Sequence, residues 1–99
     1  MGGRAALLLR EKMTDESGNL REMVIWRIAP NPQQPDGVRY RLALILAGDR
    51  APTILYDNHH PKGHHRHIGG AEHPYEFVDV ARLIADFMAD VQRLIGAEQ

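Results

Sequence analysis

The segment LREMVIWRI, residues 20–28, decides the fold of this chain. Its side chains follow the two-residue period of a β-strand, and apolar residues occur on both alternating faces. Met23 and Ile25 share one face, whereas Val24 and Trp26 share the other. We therefore predict a strand here and expect Trp26 to lie in the core.

The neighbouring segments repeat this period. Residues 5–13 predict a strand that forms a hairpin with residues 20–28, because the segment between them is rich in turn-forming residues. Two further strands are predicted over residues 38–47 and 53–57, after a proline-rich loop. Because the connections are short, the four strands are expected to pair in order as an antiparallel meander.

The C-terminal segment predicts a helix over residues 78–95, because its apolar residues recur at spacings of three and four. Asp79 is the expected N-cap, and Gly96 is the expected glycine just beyond the helix. The predicted fold class is α+β: a four-stranded antiparallel β-meander followed by one C-terminal helix packed on the sheet, in a single domain of residues 1–99. One helix covers one sheet face, so we expect the apolar outer face to be covered in a homodimer.

Length and composition limit the classes of function. The chain has 99 residues, a formal net charge of −1 and no cysteine. The missing cysteines exclude disulfide frameworks, thiolate zinc sites and cysteine nucleophiles, and they are compatible with the cytoplasm, where we expect the protein. The near-neutral charge argues against general binding to nucleic acid, so any such contact must be local. The apolar run of residues 5–9 is too short to span a membrane, and we predict neither a membrane segment nor a signal peptide.

All six histidines lie in residues 59–73, and none lies elsewhere. Pro61 and Gly63 interrupt the run and two glycines follow it, so we predict a histidine-rich loop over residues 57–73 rather than a helix. A packed core has no use for so many imidazoles in one segment. The strands and the helix are therefore expected to act as a scaffold, and the loop to carry the function.

Acid–base catalysis is the first function that this loop suggests. Imidazoles titrate near neutral pH, so two neighbouring rings can serve as general base and general acid. Metal-free cleavage of RNA needs these two groups and a cation at the phosphoryl oxygens. If this segment is extended, His65 and His67 point the same way and act as one unit, with His60 facing them and Asp57 orienting an imidazole. The candidate cations for the phosphate are Lys62 and Arg66.

A metal site is the second function that the histidines suggest. His60, His65, His67 and Asp57 are ligand types that suit zinc, nickel, copper or iron(II). Their spacing matches no familiar ligand signature, so no cofactor is predicted, although a divalent transition metal is compatible with these side chains. A third interpretation is a solvated loop that takes up metal adventitiously.

The segment YDNHH, residues 56–60, followed by HHRH, residues 64–67, resembles the TumE-type toxin family of small bacterial and archaeal proteins. EMVIW at residues 22–26 and YEF at residues 75–77 fit the same family, and the resemblance covers about residues 5–95. It implies the toxin of a type II toxin–antitoxin pair, with a helix-turn-helix antitoxin as partner and a nuclease as the suspected activity. The motif positions carried over are Asp57, Asn58, His60, His65 and His67, and these five are the candidate catalytic residues.

We therefore predict a small ribonuclease toxin. A metal-binding or metal-dependent module and a non-catalytic protein-interaction domain are the alternatives. Stoichiometric metal in untagged protein would favour the former alternative, whereas a helix-turn-helix gene next door would favour the toxin. Asp57 and Asn58 are also suited to pinning the loop through bonds from their side chains to backbone groups.

Overall fold

The computed structural model describes residues 4–59 and 61–96. These residues form one antiparallel sheet in which every strand pairs with the next along the chain, followed by one helix. The helix α1 (Val80–Val91) continues as a π-helical turn, Gln92–Gly96. The strands are β1 (Ala6–Thr14), β2 (Leu20–Arg27), β3 (Val38–Ile45), β4 (Ile54–Asp57), β5 (His65–Ile68) and β6 (Ala71–Pro74).

The α+β class, the antiparallel meander and the C-terminal helix are confirmed, but the sheet has six strands instead of four. The predicted histidine-rich loop over residues 57–73 is wrong in part, because it contains the hairpin β5–β6. Gly69 and Gly70 form its two-residue connection, and Gly69 has a φ of 62°. Glycine pairs suit tight hairpin turns because they adopt positive φ without steric cost. The glycines therefore mark a turn between strands.

The core lies between α1 and one face of the sheet. Leu83, Phe87 and Val91 from the helix meet Met23 and Ile25 from β2, and all five side chains are at most 5% exposed. Burying a side chain of this kind stabilises the fold by about 1.5–3 kcal/mol. The remaining core side chains come from β3 and β4 and are Val38, Tyr40, Leu42, Leu44, Ile54 and Tyr56.

The opposite sheet face, which we call the open face, is covered by no helix among the described residues. Trp26 lies there half-buried, so its predicted place in the core is wrong. Both faces of β2 are apolar, and α1 selects the face of Met23 and Ile25. Two arginines lie beside Trp26 on the open face: Arg39 pairs with it across the ladder, and the Arg10 guanidinium lies 5.9 Å from its ring centroid. Its partner on β1 is the apolar Leu7.

The two ends of α1 differ in how far the sequence predicted them. Asp79 is the N-cap, as predicted, and its side chain accepts a hydrogen bond of 2.8 Å from the backbone N–H of Arg82. The predicted role of Gly96 is wrong, because it lies inside the π-helical turn, where its carbonyl accepts a bond of 2.8 Å from the Gln92 side chain.

Within residues 4–59 and 61–96, no helix is long and apolar enough to cross a membrane.

Candidate functional site

Sheet pairing gathers four ionisable side chains at one end of the open face. Asp57, the last residue of β4, pairs with His65, the first residue of β5. His67 then pairs with Glu72 of β6. Because side chains alternate along a strand, these four residues all point to the open face, away from α1.

His65 is held in one orientation. Its side chain is only 8% exposed, its Nδ1 lies 2.8 Å from the carbonyl oxygen of Gly63, and its Nε2 lies 2.9 Å from Oδ1 of Asp57. A carbonyl oxygen can only accept, so Nδ1 carries a proton and donates it. The Gly63 carbonyl and the Asp57 carboxylate thus hold the His65 ring from its two nitrogens.

His67 lies beside His65 and is the more accessible imidazole. The two ring centroids are 5.1 Å apart, edge to face, and the His67 side chain is 32% exposed. Its Nε2 is 4.0 Å from Oε1 of Glu72, which also lies 3.1 Å from Nζ of Lys62. The hydrogen bond from Lys62 lowers the pKa of Glu72, so this carboxylate is ionised at neutral pH. The side chains of His67 and Lys62 are both accessible from solvent.

Two cavities on the open face meet at the site. One, of about 250 Å³, is lined by His59, Lys62 and His65 together with Asp57 and Pro61. The other, of about 310 Å³, extends over β2 and β3. Asp57 and His59 line both cavities, so the two adjoin at the histidines, and we call them together the groove.

Asn58 lines the groove, but its side-chain amide is already bonded to the backbone. Its side chain accepts a bond of 3.1 Å from the backbone N–H of Tyr40 and donates one of 2.8 Å to the carbonyl of Val38. The residue is 2% exposed. It therefore holds the segment after β4 against the backbone of β3. This is the bonding from side chain to backbone that the sequence suggested for Asp57 and Asn58.

Arg66 is separated from the histidines by the thickness of the sheet. It points to the helix side, where its NH1 donates to the Tyr56 hydroxyl at 2.9 Å and to Oδ2 of Asp90 at 3.2 Å. The Tyr56 hydroxyl also donates to Asp90, which is only 5% exposed. This network joins β4 and β5 to α1. Of the two cations predicted to bind phosphate, only Lys62 therefore lies beside the histidines. His60, the third histidine of the predicted site, lies outside the described residues.

His64 serves a different purpose from His65 and His67. Its Nδ1 lies 2.8 Å from the Tyr40 hydroxyl, its Nε2 lies 2.8 Å from Oδ2 of Asp36, and its ring stacks on Phe77. Burial is the main cause that raises the pKa of Tyr40, so the phenol keeps its proton and can donate it to His64. The contacts tie the proline-rich loop to the segment before β5.

Sequence reasoning missed Glu72 and the arginines of the open face. The signal for Glu72 was Gly69-Gly70: a two-residue turn there sets Glu72 opposite His67. Arg39 and Arg41 carry a weaker signal, because alternating charges in a strand are typical of any exposed sheet face.

A family model described as "Toxin TumE" matches residues 4–95 of the chain. Neither the search of curated proteins nor the search of solved structures gave a match.

Proposed function

The chain belongs to the TumE toxin family, and we propose that it is the RNA-cleaving toxin of a type II toxin–antitoxin pair. One observation carries the proposal: His65 and His67 lie side by side on the open face, with a carboxylate against each and a lysine next to them. General acid–base chemistry on a phosphodiester needs two proton-transfer groups and a nearby cation.

The two histidines have different roles in this reaction. His67, which is reachable from solvent, removes the proton from the ribose 2′-hydroxyl, and the 2′-oxygen attacks phosphorus. The bond from phosphorus to the 5′-oxygen breaks, and His65, which lines the cavity beside Lys62, donates a proton to that oxygen from Nε2, the nitrogen that faces Asp57. Lys62 stabilises the negative charge on the phosphoryl oxygens. Asp57 holds the His65 ring in place, in the way that carboxylates orient catalytic imidazoles.

A metal-dependent reaction is the second candidate, and one observation favours it. Ligand atoms of His65, His67 and Glu72 lie within 4.8 Å of one another. The bond from His65 Nδ1 to the Gly63 carbonyl would leave Nε2 as the ligand atom, an arrangement that is common among metal-bound histidines. Activity that is abolished by a chelator and restored by one transition metal would select this candidate.

The proposed partners are an antitoxin and a second copy of the chain. We propose that a helix-turn-helix antitoxin binds the chain in the cytoplasm and neutralises it. The sequence placed the homodimer on the outer sheet face, which carries Arg10, Arg39 and Arg41. We propose the edge of β1 in its place, because an edge strand presents unpaired backbone groups and Leu7, Leu8 and Met13 are 44%, 39% and 47% exposed. Solution mass at micromolar concentration tests this: Leu8→Glu should lower the mass to that of a monomer. A monomeric wild-type protein would contradict the proposal.

Induction in cells tests the toxin activity. Wild-type protein is expected to arrest growth and fragment RNA, and the His67→Ala variant is expected to do neither. His73→Ala is the matched control, because His73 pairs with Arg66 and so lies on the other sheet face from His65 and His67. Equal toxicity of the His67→Ala and wild-type proteins would remove the histidines from the mechanism. Loss of toxicity in His73→Ala would show that any histidine change impairs the protein.

A further inference from the structure

We propose that the open face over β1–β3 binds single-stranded RNA, with one base stacked on Trp26 and the backbone phosphates on Arg39 and Arg41. The inference deepens the proposed function, since it names the form of RNA that reaches the histidines and the residues that hold it. Neither Trp26 nor these arginines belongs to the proton-transfer machinery described above.

The cavity over β2 and β3 has the size and the lining for a nucleotide. It measures about 310 Å³, at the lower end of the usual range for small-molecule sites. Trp26 and Val24 supply an apolar floor, and Arg39 and Arg41 supply positive charge beside it. Asp57 and His59 form its far end, where the second cavity begins. A strand lying in the groove would therefore run from Trp26 toward His65.

The charge of this face is complementary to a nucleic acid, although the net charge of the chain is −1. Among the charged side chains that β1–β3 place on the open face, four are basic and one is acidic: Arg10, Lys12, Arg39, Arg41 and Glu22. Glu22 lies 3.8 Å from Lys12 and 3.5 Å from Arg41. In the part of the chain that the structure describes, Arg10 and Arg39 have no carboxylate within 4.0 Å, and Arg41 shares the single carboxylate of Glu22 with Lys12. The face therefore has positive charge left to bind phosphates, which suit the planar guanidinium group.

Trp26 provides the platform for a base. The ring is half-buried, and the planar Arg10 guanidinium lies 5.9 Å from its centroid. Arg10 is exposed and can move from the ring to a phosphate when a base stacks there. Stacking requires an unpaired base, since bases inside a duplex are stacked on one another. This requirement is why we assign the face to single-stranded RNA.

Trp26 is also the probe, because it is the only tryptophan of the chain. A 2′-O-methyl oligoribonucleotide, which has no 2′-hydroxyl to react, should bind without cleavage and change the tryptophan emission saturably. The same oligonucleotide annealed to its complement should not. Emission that depends on protein concentration and not on the oligonucleotide would overturn the proposal, because it would place a second copy on this face.

Variants separate the contributions to affinity, measured by fluorescence anisotropy of the labelled oligonucleotide. Trp26→Ala should weaken binding by about 5- to 150-fold, the effect of losing one stacked base, and Trp26→Phe should recover most of it. Arg39→Ala and Arg41→Ala should each reduce the slope of log affinity against log salt by about 0.7. Arg50→Ala, an exposed arginine in the turn at the far end of β3, is the matched control and should leave both quantities unchanged.

Measuring binding and cleavage separately tests the RNA-binding face independently of the proposed ribonuclease activity. Binding that requires Trp26, Arg39 and Arg41, in a protein that never cleaves RNA, would support the platform and contradict the ribonuclease. Cleavage by a protein whose arginine variants bind as tightly as the Arg50→Ala control would support the ribonuclease and overturn the platform.

Discussion

The Asn58→Ala substitution is expected to destabilise the fold without removing a catalytic group. Asn58 is a motif position that the sequence placed among the catalytic residues, yet its amide group is bonded to the backbone of β3 at Tyr40 and Val38. These two bonds hold the segment that follows β4, and with it Asp57 and the site. Alanine removes both bonds and leaves a backbone N–H and a carbonyl without partners.

The magnitude follows from the burial of the three residues. Asn58, Tyr40 and Val38 are 2%, 3% and 8% exposed, so the released groups have little access to water. Each unsatisfied group costs about 1–3 kcal/mol, which gives about 2–6 kcal/mol for the pair. The adjoining cavity is lined by Asn58 and Tyr40 and can admit a water molecule, so we expect the lower half of that range, about 2–4 kcal/mol. A protein of this size has about 5–15 kcal/mol of stability, so the variant should still fold.

Urea unfolding followed by the emission of Trp26 measures the effect. Asn31→Ala is the control, because the Asn31 side chain likewise makes two bonds to the backbone, which it accepts from the N–H groups of Gln33 and Gln34 in a turn that water can reach. We expect less than about 1 kcal/mol there, since water can replace those bonds. A loss of activity in folded Asn58→Ala protein with unchanged stability would refute the structural role and return Asn58 to the catalytic site.

Three further predictions concern pH, metal and DNA. Burial and the hydrogen bond to Asp90 raise the pKa of Tyr56 to about 12. The stability that this provides is full below pH ~10 and is lost as pH rises toward ~12, so unfolding measured at alkaline pH should show a fall in stability that shrinks in Tyr56→Phe. RNA cleavage should survive a chelator and show a bell-shaped pH profile, and His67→Ala should lower the rate by about 10²- to 10⁴-fold in a gel assay; a metal requirement would favour the second candidate. The isolated protein should bind duplex DNA poorly in a mobility-shift assay, because its net charge is −1, and tight, salt-sensitive binding would contradict this.

The sequence predicted the strands and the helix whose buried apolar residues recur at a regular spacing. The strands β2 and β3 and the helix α1 bury regular stripes of apolar residues, so their side chains repeat at the strand or helix period. The strands β5 and β6 do not, because they have only four residues each and their open-face positions hold His65, His67 and Glu72. Polar residues on both sides of a short strand look like a loop, which is why the hairpin was missed.

The candidate site could be predicted only as far as local alternation reaches. That rule places His65 and His67 on one face of an extended segment, and the structure shows this arrangement. The partners of Arg66 could not be found in the same way, since Asp90 is 24 positions away and becomes a neighbour only when α1 packs on the sheet. The prediction that Trp26 lies in the core was wrong for a related reason. When both faces of a strand are apolar, the strand's sequence does not show which face the helix will cover.

The chemical ends of the RNA fragments test the central claim most directly. If His67 activates the 2′-hydroxyl and His65 protonates the 5′-oxygen, purified protein incubated with RNA and a chelator should yield fragments ending in a 2′,3′-cyclic phosphate and beginning with a 5′-hydroxyl. RNA in which the 2′-hydroxyls are methylated should stay intact. Fragments with 5′-phosphate ends that form only with added metal, or no fragments under either condition, would contradict acid–base cleavage by these two histidines.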